Sequence, residues 1–166
     1  INFLNHAITG YLVKINQTKL PIEDAKMIGG LFHVVNDIER IGDHAENVAD
    51  NAVKRRDNDI AISKDAQHEL GEMLDMVNTI IRYSVDMFAK GTLEHLQDIV
   101  QLEEAVDEKE RELQQHHVDR LTRNECTPAA GMRFSDFVSG LERVSDHAPN
   151  IAFSIYGSDN EDTEVD

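Results

Sequence analysis

Residues 39–49 read ERIGDHAENVA, and residues 142–152 read ERVSDHAPNIA. Seven of these positions are identical and two more exchange Ile for Val, at a constant offset of 103 residues. Apolar residues flank and thread both strings: Leu31, Val34, Ile38, Ile41, Ala45 and Val48 in the first, and Phe134, Phe137, Leu141, Val144, Ala148, Ile151 and Ile155 in the second. Steps of alternately three and four put each set on one side of an α-helix. An apolar seam alone recurs in any helical protein. Identical polar residues at matching offsets do not, so the chain reads as a tandem duplication.

Working outward, the same period governs the rest of the chain. Pro21 followed by Glu23 and Asp24 marks a helix start, and Lys54, Arg55 and Arg56 suit its C-terminal end. Before it, Ile1 to Gln17 reads as an amphipathic helix with Phe3, Leu4, Ala7, Ile8, Tyr11, Leu12 and Ile15 turned inward. Ser63 is placed to cap a third helix ending at Lys90, with Gly91 just beyond. Thr92 is read as the cap of a fourth helix to Arg123, and Pro128 opens a fifth that runs to Tyr156. No segment alternates with period two for long enough to make a sheet. The fold class is therefore all-α, an elongated antiparallel bundle of long helices joined by short loops. Residues 1–156 form the helical domain, divided into repeat one over 1–90 and repeat two over 92–156, and the Ser/Asp/Glu-rich stretch 157–166 is expected to be a disordered tail.

Charge narrows the partners. Sixteen Lys and Arg stand against 32 Asp and Glu in 166 residues, a net charge of -16. Such a surface repels phosphate backbones and anionic headgroups, which argues against nucleic acid and favours cations or basic protein surfaces. The single cysteine, Cys126, excludes an internal disulfide and a cysteine-based zinc site. No apolar run reaches the ~20 residues needed to span a bilayer. The sequence opens without Met inside an apolar-periodic segment, which we read as an internal start with further protein upstream.

The repeated string carries the candidate chemistry. Glu39 and Asp43 are four apart and stack on one helix face, with Glu46 and Asp50 continuing the stripe. Like charges at this spacing repel by ~0.2–0.5 kcal/mol per pair, so arginine, solvent or a bound cation must offset them. Glu142 and Asp146 repeat the pair, while Pro149 replaces Glu46 and is expected to kink its helix and free the Ser145 carbonyl. Glu103 and Asp107 form a third pair on the preceding helix, and an antiparallel hairpin would bring them beside Glu142 and Asp146. Such oxygen ligands suit magnesium, manganese or iron. Acids at this spacing are also common on solvated helix flanks that bind nothing. His44 and His147 follow the aspartates as either ligands or interface residues; His116 and His117 read as solvated. A di-iron enzyme would require Glu-x-x-His, which the sequence lacks, and no nucleophile–base arrangement is present. Gly29-Gly30 reads as a place of close helix packing rather than a phosphate loop.

The paired ERIGDHAENVA and ERVSDHAPNIA strings resemble the acidic motifs of the PhoU family, and GLFHVVNDIERIGDHAENVAD in particular resembles the cytoplasmic C-terminal domain of bacterial sodium/phosphate cotransporters. The resemblance implies two three-helix repeats with the first helix of repeat one missing, leaving five. It implies metal binding at Glu39, Asp43, Glu103, Asp107, Glu142 and Asp146, by an iron cluster in the first place, with manganese, magnesium or zinc left open. Asn2 stands where Asp107 stands, so the first site departs from the pattern. The implied function is regulation of phosphate uptake without catalysis, in the cytoplasm and tethered to the inner face of the plasma membrane. The partner would be a phosphate transporter's membrane domain, or phosphate-signalling proteins for a free-standing regulator; homo-oligomer formation stays open. A metal-dependent hydrolase is the remaining alternative.

Overall fold

The computed structural model describes residues 1–154. It contains α1 (Asn2–Asn16), α2 (Ile22–Asp57), α3 (Lys64–Lys90), α4 (Leu96–Thr122) and α5 (Pro128–Phe153), and no strand among the described residues. The seam position Ile155, the expected helix end at Tyr156 and the expected disordered tail over 157–166 lie outside the described residues.

The helix ends follow their local chemistry. The Ser63 hydroxyl accepts from the Ala66 N–H at 3.2 Å, and the Thr127 hydroxyl accepts from the Ala130 N–H at 3.2 Å ahead of Pro128. Gly91 ends α3 in the left-handed region with φ of 64°, a conformation that costs a residue with a Cβ ~1–2 kcal/mol. The expected start of α4 at Thr92 is not where that helix begins. The Thr92 N–H bonds back to the Met87 carbonyl at 3.2 Å, closing α3, and α4 starts at Leu96.

Successive helices run antiparallel. Helices α3, α4 and α5 pack mutually, α2 packs along α5, and among the described residues α1 packs on α2 alone. The three-helix unit buries Met73, Ile80 and Met87 of α3, Val106 and Leu113 of α4, and Val138 of α5 completely. Each such side chain contributes ~1.5–3 kcal/mol relative to an exposed one. The packing differs from the expected division at residue 90: α3 belongs with α4 and α5, and not with α1 and α2. The expected inward set of α1 is also corrected. Leu12 is buried and Ile15 half-buried, but Phe3, Leu4, Ala7, Ile8 and Tyr11 are exposed. With a single neighbour, α1 has more apolar surface than it can bury.

Helices α2 and α5 carry the two copies of the repeated string and meet around a local pseudo-twofold axis. His44 and His147, equivalent at the 103-residue offset, stack with ring centroids 5.7 Å apart. On one side of them Arg133 donates to the Asn51 side-chain oxygen at 2.9 Å. On the other, a Cβ on Gly30 would stand 3.5 Å from the Ser154 carbonyl oxygen, and Gly30 and Ser154 are the equivalents of Arg133 and Asn51. The expected close packing therefore holds at Gly30, while Gly29 faces open space. Pro149 is fully buried inside α5, which continues to Phe153.

Candidate metal centre

The acid-bearing faces of α4 and α5 meet because the two helices run antiparallel at close range. Ser139 donates to Glu110 at 3.4 Å and Ser135 to Gln114 at 3.0 Å along the same seam. One turn further, Asp107 of α4 faces Glu142 and Asp146 of α5, and one ligand oxygen from each lies within 4.8 Å of the others. Among the described residues this is the only set of three such groups that close together. Glu103, four residues before Asp107, is half-buried beside them.

Crowding shows in the protonation of the set. Burial, then the negative charges of Asp146, Glu110 and Asp107, and a hydrogen bond with Asp146 raise the Glu142 carboxyl to about 7. Burial and the charges of Asp146, Asp107 and Glu104 raise Glu103. The causes of both shifts include no cation. A hard or borderline cation supplies what this donor set lacks, and carboxylate oxygens are its preferred ligands. The residues present fit such an ion, with Asp107, Glu142 and Asp146 to hold it and Glu103 and Glu110 to attract it.

The other expected pair is differently placed. Asp43 lines a surface hollow with Ile1, Asn2, Phe3, Gly42 and Glu46, and Glu39 is half-buried on the same helix. Among the described residues no third acid closes on Glu39 and Asp43 as Asp107 does on Glu142 and Asp146. Asn2 in this hollow stands where the complete set has Asp107.

The histidines sit at interfaces. His147 Nδ1 lies 3.0 Å from the Asp37 carboxylate, which also accepts from Asn150 at 3.3 Å. Burial and the charges of His147 and Arg143 lower His44, partly offset by Asp43. Asp37 has Gly140 as its repeat equivalent, so nothing in the duplicated string marks it. His116 and His117 are not the solvated residues expected. His116 Nδ1 lies 2.8 Å from Glu69, and His117 is half-buried against Phe134 and lowered by burial and by Arg120. Glu69 also accepts from Arg120 at 2.8 Å. Glu110, the further acid of the α4 stripe, was readable at three residues beyond Asp107.

Duplicated helical strings packed antiparallel, with carboxylates converging at one helix seam, define an all-α repeat protein with an acidic surface centre. The PhoU domain pattern matches residues 1–52 and 70–155, and the chain belongs to the PhoU family. The fold is similar to the crystal structure of PhoU from Pseudomonas aeruginosa, with a TM-score of 0.88 and 23% identity over 95% of this chain and 75% of that one. A Clostridium acetobutylicum protein named phosphate-specific transport system accessory protein PhoU homolog is 23% identical over 93% of this chain. A Thermotoga maritima PhoU homolog 1 of the same description is 27% identical over 70% of it. The chain spans 70% of the Clostridium relative's length and 49% of the Thermotoga relative's.

Proposed function

We propose that this chain is an accessory regulator of phosphate uptake that acts through protein contacts rather than catalysis. The observation that carries the reading is the family membership, joined to relatives named as accessory proteins of phosphate-specific transport. Those names favour a free-standing regulator over the cytoplasmic part of a sodium-dependent transporter, which the sequence alone put first. No helix among the described residues is long and apolar enough to cross a membrane, which accords with a cytoplasmic regulator that meets a transporter or its signalling partners at the inner membrane face.

Within that role the carboxylates of Asp107, Glu142 and Asp146, with Glu103 beside them, bind a metal ion, iron or manganese before magnesium. The pair Glu39 and Asp43 forms the weaker site because Asn2 replaces the third acid. The ion neutralises the acidic seam of α4 and α5 and so fixes the face that partners read.

The test is complementation of a bacterium deleted for its own PhoU-type regulator, read with a phosphate-starvation reporter. The chain should restore repression in high phosphate, and Asp107→Asn with Asp146→Asn should weaken it. A reporter that stays derepressed with soluble, folded chain present overturns the regulatory role. Phosphatase turnover abolished by Asp146→Asn overturns the non-enzymatic reading.

A further inference from the structure

Helices α3 and α5 begin, and α4 ends, at the same end of the three-helix unit. A cavity of about 40 Å³ opens there, larger than the ~10–15 Å³ that one water needs. Its wall includes Ser63, His117, Arg120, Glu125, Cys126 and Phe134. Arg120 stands about 20 Å along α4 from Asp107, at 1.5 Å per residue, so the cavity is separate from the carboxylate centre.

Arg120 sets the chemistry of this cavity. Its Nη1 donates to Glu69 at 2.8 Å, and its guanidinium carbon lies 4.7 Å from the centre of the Phe134 ring. These contacts hold the group in place and leave Nη2 buried without a hydrogen-bond partner among the described residues. A buried charged donor left unpaired is costly, and an ionised acceptor relieves it better than a neutral one. His117 packs over Gly131, where a Cβ would strike its ring. Burial, then the charge of Arg120, lower the pKa of His117, so its neutral ring keeps one N–H to donate. The Ser63 hydroxyl accepts from the Ala66 N–H and carries a proton to donate. Glu125 is the one acid on this wall. It repels a fully ionised anion but accepts a hydrogen bond from one that keeps a proton.

We propose that this cavity binds a protonated tetrahedral oxyanion of the inorganic phosphate class. Arg120 Nη2, His117 and Ser63 donate to its oxygens, and Glu125 accepts from its hydroxyl. Sulfate has the same shape and no proton at neutral pH, so the carboxylate selects against it. The net charge of -16 acts at long range and is screened beyond ~8 Å at physiological salt, whereas these donors act at contact. The site needs no ion at the carboxylate centre and does not rest on the regulatory reading.

The test uses the 166-residue chain at neutral pH and constant ionic strength, with chelator present to keep metal from the carboxylates. The probes are inorganic phosphate and sulfate. Cys126, the single cysteine, reports occupancy through its rate of alkylation by iodoacetamide, and His117 reports it through its imidazole proton resonances. About 10 mM phosphate should slow alkylation at least about fivefold, and the same sulfate less than about twofold. Phosphate should also move the His117 titration midpoint upward, because the bound anion offsets the charge of Arg120. Glu125→Gln, at an exposed position, should let sulfate protect as well as phosphate. Arg120→Lys keeps a charge for Glu69 but lacks the second nitrogen, and should abolish protection. Phosphate that leaves both Cys126 alkylation and the His117 titration of the parent unchanged overturns the proposal. Equal protection of the parent by sulfate overturns the assignment to a protonated anion, and protection that survives in folded Arg120→Lys overturns the role of Arg120.

Discussion

Replacing Glu142 with glutamine should stabilise the metal-free protein at neutral and alkaline pH while weakening its response to metal. In the folded chain burial and three neighbouring carboxylates raise Glu142 from 4.5 to about 7. A raised acid means that the folded state holds the proton more tightly than the unfolded one. Its favourable contribution is complete below the unfolded value and is lost as pH climbs through the folded value. At ~1.36 kcal/mol per unit the shift corresponds to about 3 kcal/mol at face value. The carboxyl is partly open to water, and screening reduces this to about 1 kcal/mol. Glutamine keeps the shape and hydrogen-bonding capacity without the charge. The variant and the parent should therefore match near about pH 5 and diverge to about 1 kcal/mol in the variant's favour near about pH 8.

Urea unfolding followed by far-ultraviolet circular dichroism, with chelator present, measures the difference at each pH. Replacing chelator with manganese should reverse the order at the upper end, because the parent regains through the ion what it lost by ionising and the glutamine variant regains less. A stability difference that does not change with pH would show that Glu142 is not crowded by Asp107 and Asp146 as the structure places it. A parent that gains no more than the variant from manganese would refute the metal assignment.

Two further outcomes probe the scaffold around the centre. Glu69→Ala removes the acceptor of both Arg120 and His116 at 2.8 Å and leaves the mostly buried Arg120 guanidinium without its carboxylate. It should cost about 3 kcal/mol in the same unfolding assay, and Glu69→Gln, which keeps an acceptor, should cost less. Gly131→Ala places a methyl group into the His117 ring at the start of α5; a loss of about 1–3 kcal/mol is expected from the forced displacement, with a change in the His117 proton resonances as the local check.

The helices were legible because their apolar spacing is unambiguous and because Ser63, Gly91 and Pro128 sit at sharp chemical boundaries. The start of α4 was not. Thr92 has the composition of a cap, and only the backbone bond from its N–H to Met87 shows that it finishes the previous helix. Amphipathicity likewise reveals that α1 has an apolar side without revealing how many neighbours meet it, so Phe3 and Tyr11 read as inward although they are exposed. The meeting of Asp107 with Glu142 and Asp146 was readable from equal spacing on two helices joined as a hairpin. Asp37 was invisible, since its partner His147 lies 110 residues away and its repeat equivalent is Gly140.

The duplication explains why the two halves are able to differ. The α2–α5 contact is built from equivalent positions, so a change in one copy alters one side of the axis and leaves the other intact. Asp37 against Gly140 gives His147 a carboxylate partner, whereas at the equivalent contact a Cβ on Gly140 would crowd Val48. Asn2 against Asp107 takes one negative charge from the first acidic hollow and leaves it in the second. Pro149 against Glu46 goes the other way: it removes an acid from α5 and buries a proline there, while Glu46 stays exposed on α2. Of the three changes only Asn2 against Asp107 favours the half that contains α3, and it is the one that decides where three carboxylates converge. A buried, rigid three-helix wall is what holds Asp107, Glu142 and Asp146 close despite their mutual repulsion, and α1, supported by α2 alone, offers no such wall for a second set.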